Sequence, residues 1–143
     1  MIEIKNISKK FGKLEVLKNV SVSCNSGQCI ALIGPNGCGK TTLIKSVLGM
    51  VIPDSGSMEF NQKSIFGDYL YREKIGYMPQ IGRYPDTMTI GEIIEMVKKI
   101  RNSKDNLDED LFRDFEIEKM LNKQMRTLSG GTTQKISAVL AFM

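Results

Sequence analysis

The sequence contains no histidine, only three cysteines and no long apolar run. Cys24, Cys29 and Cys38 are spaced in a way that fits neither a C-x-x-C redox pair nor a zinc site. An odd number of cysteines favours a reducing compartment, in which thiols stay free. The longest apolar stretches, such as Ala138 to Met143, are much shorter than the roughly 20 residues of a membrane-spanning helix. We therefore expect any contact with a membrane to pass through a partner protein.

Charge of one sign is not concentrated anywhere in the chain. The 143 residues include 20 lysines and arginines against 16 acidic residues, and no five like charges follow one another. This distribution is typical of a solvated, mildly basic surface, so we expect no nucleic-acid partner. A hydrophobic fraction of 41% is sufficient for a folded domain with a core.

Alternating and continuous apolar patterns predict several strands. Period-2 alternation at Ile2–Lys5 and at Asn19–Cys24 predicts strands with one wet face. The segment Cys29–Ile33 is apolar throughout, which predicts a strand buried on both faces, as in parallel sheets covered by helices. Two further strands are expected at Met58–Phe60, after a turn at 53–56, and at Ile75–Met78.

Four helices are predicted from periodicity and capping signals. The first covers Thr41–Leu48, and the second follows Thr89 and Glu92, which have the spacing of a capping box. Its apolar positions recur at the helical period: Ile90, Ile93, Ile94, Val97 and Ile100. A third begins near Asn106–Asp108 and carries Leu111, Phe112 and Phe115. The fourth follows Ser129–Gly131 and places Ile136, Val139, Leu140 and Met143 on one face. It continues to the last residue without a capping signal, so we expect a truncated polypeptide.

The segment Gly34–Thr41 matches G-x-x-x-x-G-K-[ST], the phosphate-binding loop. Glycines allow consecutive backbone N–H groups to surround a phosphate, and the following helix turns its positive end towards the same anion. Lys40 would contact the β- and γ-phosphates, and the Thr41 hydroxyl would bind Mg²⁺. The alternative is a chance glycine loop, with odds on the order of one in a hundred at ordinary glycine content. The predicted nucleotide contacts in this segment are Gly34, Pro35, Asn36, Gly37, Cys38, Gly39, Lys40, Thr41 and Thr42.

A second motif, Leu128–Lys135, resembles the L-S-G-G-Q-x-Q-R signature of ABC ATPases. Its simpler interpretation is a helix N-terminus with Ser129 as the N-cap. The resemblance extends to Phe11, at the position of the aromatic residue that stacks on adenine, although a core or hairpin phenylalanine is the alternative. It also includes Gln80, which matches the glutamine that senses Mg²⁺ and the γ-phosphate but would otherwise be an ordinary loop residue.

The resemblance implies an α/β P-loop NTPase core with N-terminal antiparallel strands and a helical subdomain, from which the C-terminal part of the core is missing. Residues 1–82 would form the ATP-binding core, and residues 83–143 the helical subdomain. Lys40 and Gln80 would be catalytic, Thr41 and Gln80 would bind the metal, and Ser129, Gly130 and Gly131 would contact the ATP of a second, head-to-tail subunit. The cofactors would be ATP and Mg²⁺.

The family function would be coupling of ATP binding and hydrolysis to transport, beside a transmembrane permease subunit at the cytoplasmic face of the cell membrane. The permease would dock on Thr87–Leu121 and on the loop of Gln80. The alternative is a soluble ABC protein acting on ribosomes or DNA, but the spacing from Gln80 to Leu128 leaves no room for the insertion it would need. The stretch Gly76–Arg101 resembles ATPases of ABC-2-type exporters most.

The sequence departs from the family pattern in three respects. Thr132 replaces the first glutamine of the signature, and Lys135 replaces its arginine. Neither an apolar strand ending in aspartate and glutamate nor a switch histidine is present. We therefore expect the chain to bind nucleotide but hydrolyse it poorly. We also expect Cys29–Ile33 to have an unpaired edge, hidden in an oligomer or accompanied by partial disorder.

Overall fold

Four antiparallel strands and one helix form the first of two units, Met1–Arg72, in the computed structural model, which describes residues 1–101 and 110–143. The strands are β1 (Ile2–Phe11), β2 (Leu14–Cys24), β3 (Ser55–Phe60) and β4 (Lys63–Ser64), and the helix is α1 (Lys40–Val47). In the sheet the strand order is β2-β1-β3-β4. The strands predicted at 2–5, 19–24 and 58–60 are therefore confirmed, as is the first predicted helix.

Two isoleucines of β1 contribute to the core of this unit although they are three positions apart, because an irregularity with Asn6 at φ 53° interrupts the alternation between them. Ile4 lies opposite Val22 in β2 and opposite Met58 in β3. Ile4, Ile7 and Met58 are buried, whereas Lys5 and Asn6 are exposed. A two-residue turn closes the β1–β2 hairpin, and Gly12 takes the positive φ of 59° that such a turn requires.

The prediction of a buried strand at Cys29–Ile33 is wrong. These five residues are irregular and exposed, and Ile33 is 90% exposed. A fully apolar strand needs paired strands at its edges and cover on its faces. Among the described residues, only the four-stranded sheet was found, and none of its strands pairs with 29–33. Because those neighbours are lacking, the apolar pattern does not produce a strand.

In the second unit, Glu73–Met143, the described residues form three helices together with short 3₁₀ turns. They are α2 (Ile90–Arg101), α3 (Asp110–Asp114) and α4 (Gly130–Phe142). Their buried side chains form one hydrophobic cluster: Ile90, Ile93, Ile94, Ile117, Met125, Ile136, Val139, Leu140 and Met143. The apolar face predicted for α4 is confirmed. The predicted start of the third helix at 106–108 lies outside the described residues.

The capping box of α2 is also confirmed. The Glu92 carboxylate accepts from the Thr89 N–H at 2.7 Å, and the Thr89 hydroxyl accepts from the Glu92 N–H at 3.2 Å. One apolar residue at the helical period of α2 lies outside the core, because Ile100 is 74% exposed. The last turn instead meets α4 through Arg101, whose guanidinium donates to the carbonyls of Leu140 and Met143.

The prediction of a strand at Ile75–Met78 is wrong as well. The segment is irregular, and it packs against α4 at Gly76. A Cβ at this position would clash with the carbonyl oxygen of Ala141. This packing, rather than pairing with another strand, fixes the path of the segment.

Packing divides the chain after Arg72, before the boundary at residue 82 that the motifs suggested. The motif-based division separates regions by expected function, and it stays a prediction. Among the described helices, none is long and apolar enough to cross a membrane.

Candidate phosphate-binding site

Two glycines with positive φ shape the loop between residue 34 and α1. Gly37 has φ 83° and Gly39 has φ 97°, a region that side-chain-bearing residues rarely adopt. Gly39 is the N-cap of α1 and packs closely on β2. A Cβ there would lie 2.7 Å from the Val16 carbonyl oxygen and 3.0 Å from Leu17 Cδ2. The loop therefore needs glycine at 39 for both its conformation and its contact with the sheet.

The side chain of Lys40 turns back into the loop. Its ammonium donates to the carbonyl oxygens of Gly34 and Pro35, both at 2.7 Å. It also lies 3.7 Å from the Cys38 sulfur. The loop thus surrounds a cation with weak neutral acceptors, and an anionic phosphate oxygen would be a stronger partner for the same ammonium.

The start of α1 offers further donors for an anion. The Leu43 N–H bonds to the Gly39 carbonyl, so the N–H groups of the preceding helical residues have no acceptor within the helix. No acidic residue stands in the first turn, and Thr41 is exposed. An ammonium, free N–H groups and a threonine hydroxyl are the chemistry that fits a phosphate with its Mg²⁺ ion.

Phe11 is placed on the rim of the hairpin, where its side chain is 50% exposed. The core interpretation of this residue is therefore wrong. The Lys9 ammonium lies 5.5 Å from the ring centroid. Phe11 pairs with Leu14, which is two residues, or about 7 Å, from the Val16 carbonyl that contacts Gly39. One end of β2 thus meets both the Phe11 turn and the phosphate loop.

Asp54 fixes the end of β1 behind Phe11. Its carboxylate accepts from the Lys9 ammonium and from the Lys10 N–H, both at 2.7 Å. These hydrogen bonds, that from Lys9 first, hold the pKa of Asp54 below its ordinary value. The sequence predicts only a turn at 53–56, because Pro53 and Gly56 give no indication that Asp54 bonds to Lys9 and Lys10.

Ser129 is the N-cap of α4, as the simpler interpretation of the signature predicts. Its hydroxyl accepts from the Thr132 N–H at 3.2 Å and lies 2.9 Å from the Thr132 hydroxyl. A Cβ at Gly130 or Gly131 would have nothing within 4 Å, so both glycines present open backbone. Thr132, which stands where the family pattern has glutamine, therefore contacts the Ser129 hydroxyl with its own hydroxyl. The family pattern does not predict this hydroxyl–hydroxyl contact.

Gln80 belongs to the same unit as the signature, and its backbone is held by α4. The Gln134 amide donates to the Gln80 carbonyl at 3.1 Å, and the Gln80 residue is exposed. Lys135, in place of the family arginine, lies with its ammonium 5.4 Å from the Phe115 ring. The predicted residues thus fall into two groups: Phe11 with Gly34–Thr42 in the first unit, and Gln80 with Ser129–Gly131 in the second.

These features define the class of the protein. The family profile described as ABC transporter matches residues 17–143, so the chain belongs to the ABC transporter family. A solved structure titled as the ATP-binding subunit of an ABC transporter superposes with a TM-score of 0.86 at 28% identity, covering 98% of this chain and 60% of that one. The predicted ABC ATPase fold is confirmed.

Two curated relatives are sulfate/thiosulfate import ATP-binding proteins named CysA. The protein from Pectobacterium atrosepticum is 31% identical, with coverage of 99% of this chain and 46% of its own length. The protein from Pseudomonas syringae pv. tomato is 28% identical, with coverage of 98% and 45%. The chain thus spans about half the length of the curated relatives it matches.

Proposed function

We propose that the chain is the ATP-binding part of an ABC transporter and that it binds Mg²⁺-ATP at the loop Gly34–Thr41. The observation that carries this proposal is the Lys40 ammonium, which is held by two loop carbonyls at the start of α1. An ion pair with a phosphate would replace these neutral contacts. Family membership supports nucleotide as the ligand.

Each predicted residue has a role under this proposal. The backbone N–H groups of Gly34, Asn36, Gly37, Cys38, Gly39 and Thr42 surround the phosphates. Pro35, which has no N–H, contributes to the loop only through its shape and carbonyl, and the exposed ring of Phe11 stacks on the base. Thr41 of the first unit and, separately, Gln80 of the second are each assigned to Mg²⁺, which would neutralise charge on the phosphates. Lys40 holds the β- and γ-phosphates.

The second half of the proposal concerns assembly. Ser129, Gly130 and Gly131 bind the ATP of a second ATP-binding subunit, because the N-terminus of α4 offers a hydroxyl and open amides. A transmembrane permease subunit docks on the second unit, at Thr87–Leu121 and the Gln80 loop. The assembly lies at the cytoplasmic face of the cell membrane, and the permease determines the substrate.

The cysteine inside the loop provides an experiment on the proposed site. Cys38 is exposed beside Lys40, whereas Cys29 is exposed outside the loop and can serve as a control within the same chain. We expect Mg²⁺-ATP to slow alkylation of Cys38 by at least several-fold and to leave Cys29 labelling unchanged. Peptide mass spectrometry after timed labelling measures both rates.

Two lysine variants complete this experiment. Lys40→Ala should abolish the protection of Cys38 at the same nucleotide concentration. Lys45→Ala removes an exposed lysine from the last turn of the same helix and should retain it. Equal alkylation of Cys38 in the wild-type chain with and without saturating Mg²⁺-ATP would overturn the proposal.

A further inference from the structure

One face of α4 holds the segment that contains Gln80. Three residues of that face take part: Gln134, Ser137 and Ala141, which are three and four positions apart and therefore share one side of the helix. Gln134 donates to the Gln80 carbonyl, and the Tyr84 hydroxyl lies 2.8 Å from the Ser137 hydroxyl. Gly76 packs against the backbone of Ala141. The segment 76–84 is thus attached to this face of the helix at three separate points.

The direction of the Tyr84–Ser137 hydrogen bond follows from the other partner of the serine. The Ser137 hydroxyl donates its one proton to the Thr133 carbonyl at 3.0 Å. Tyr84 must therefore be the donor in its hydrogen bond to Ser137. Ser137 itself is buried, with only 2% of its surface exposed. A Cβ at Gly82 would lie 2.5 Å from the Ser137 oxygen and 2.8 Å from Tyr84 Cε2. Only glycine at 82 leaves room for this bond.

The same hydrogen bonds continue to the N-terminus of α4. Thr133, the acceptor for Ser137, donates its own hydroxyl to the Ser129 carbonyl at 3.1 Å and its N–H to the same oxygen at 2.9 Å. A continuous series therefore joins Tyr84 to Ser137, Thr133 and Ser129. The Gln134–Gln80 bond connects the segment to the helix a second time, beside Thr133.

We propose that Gln134 is a positioning residue, which fastens the backbone of Gln80 to α4 so that displacement of Gln80 is transmitted to Ser129. The proposal rests on the proposed function, because it assigns Gln80 to the nucleotide of its own chain and Ser129 to that of a second subunit. Without the Gln134–Gln80 hydrogen bond, the Tyr84–Ser137 bond still holds the segment 76–84, but the backbone at Gln80 moves independently of the helix.

Hydrogen exchange of the full 143-residue chain tests this link with an isosteric variant. Gln134→Glu keeps the shape of the side chain but removes the amide donor at neutral pH. Gln124→Glu is the matched control, since it adds the same charge to the same unit and still accepts from Arg126. Without nucleotide, Gln134→Glu should raise exchange in peptides covering 79–84 by about two- to tenfold, the loss of one hydrogen bond. Gln124→Glu should not.

The change in hydrogen exchange on adding Mg²⁺-ATP shows whether Gln134 links Gln80 to Ser129 or only stabilises the packing of the segment 76–84. In the wild-type chain, saturating Mg²⁺-ATP should slow exchange both in 79–84 and in 129–134. In Gln134→Glu the slowing should persist in 79–84 and fall at least several-fold in 129–134, while Gln124→Glu behaves as wild type. Alkylation of Cys38, measured in the same samples, reports nucleotide binding separately.

Two results would overturn the link while leaving nucleotide binding intact. One is protection of Cys38 in the wild-type chain without any change in 129–134. The other is a change in 129–134 that is equally large in Gln134→Glu. Failure of Mg²⁺-ATP to protect Cys38 at all would instead contradict the proposed function, and this inference with it.

Discussion

Gly39 is the residue at which the phosphate loop, β2 and α1 meet. Replacing Gly37 or Gly39 by alanine places a side chain at positive φ, which costs about 1–2 kcal/mol. At Gly39 the new Cβ would also meet the Val16 carbonyl and Leu17, whereas Gly37 has nothing within 4 Å. We expect Gly39→Ala to lower the free energy of unfolding by about 1–3 kcal/mol more than Gly37→Ala.

Urea denaturation of the two variants beside the wild-type chain measures this difference. Equal destabilisation would mean that the close approach of Gly39 to β2 does not matter for stability. A larger loss in Gly37→Ala would contradict the described loop outright.

Asp54 gives the first unit a dependence on pH. Because Lys9 and the Lys10 N–H lower its pKa in the folded chain, the unfolded chain binds the proton more tightly. The stability that Asp54 contributes is therefore complete above its ordinary pKa of 3.8 and is lost as the pH falls through the lower, folded value. Asp54→Asn should weaken the fall in stability below about pH 4.

The midpoint of urea denaturation, measured from pH 6 down to the acid range, checks this expectation. Asp68→Asn is a suitable control, because Asp68 accepts a local N–H from Leu70 and has no pairing with Lys9. A steeper acid loss in Asp54→Asn than in the wild-type chain would be the wrong sign.

At the scale of elements, α2 depends on its capping box. Thr89→Ala removes the acceptor for the Glu92 N–H and one donor to the Glu92 carboxylate. We expect a loss of about 1 kcal/mol in unfolding free energy, typical of an N-cap. The Thr89 N–H and hydroxyl also lower the pKa of Glu92, so the stability from this contact is lost as the pH falls through that lowered value.

Thr89→Ser is the control for this element, since it keeps the hydroxyl and should stay close to wild type in thermal unfolding. A Thr89→Ser chain as unstable as Thr89→Ala would show that the methyl group, rather than the cap, stabilises α2.

The helix α4 offers an asymmetric pair of variants. Ser137→Ala leaves the partly buried Tyr84 hydroxyl without its acceptor, which costs about 1 kcal/mol. Tyr84→Phe leaves Ser137 still bonded to the Thr133 carbonyl and should cost less. Thermal unfolding of both variants tests this order; a more damaging Tyr84→Phe would reverse the donor assignment.

Elements with local signals were predictable from the sequence, and those that need distant neighbours were not. The cap of α2 lies within four residues and was predicted. Of the β1–β2 hairpin, the strand segments at 2–5 and 19–24 were predicted, but the two-residue turn that closes it was not. Cys29–Ile33 has the composition of a buried strand, but burial requires partners from elsewhere. Likewise, Ile100 fits the helical period of α2, yet Arg101 makes the contact with α4.

The same division applies to the candidate site. The motif Gly34–Thr41 could be recognised in the sequence, because phosphate-binding chemistry requires fixed residue types at fixed spacing; that it binds phosphate stays a prediction. The contact of Gln134 with Gln80 could not be predicted, since it joins residues 54 positions apart through a backbone carbonyl. The N-cap bond from the Thr132 N–H to Ser129 was predicted, but the contact between the two hydroxyls was not, because the family pattern has glutamine where this chain has threonine.

At the scale of the whole molecule, the central claim is that the loop Gly34–Thr41 binds Mg²⁺-ATP. Titration calorimetry of the 143-residue chain with Mg²⁺-ATP tests it most directly. The account predicts saturable binding to one site per chain, weakened roughly tenfold to hundredfold by Lys40→Ala and unchanged by Lys45→Ala. Absence of binding in the folded wild-type chain, or equal affinity in Lys40→Ala, would contradict it.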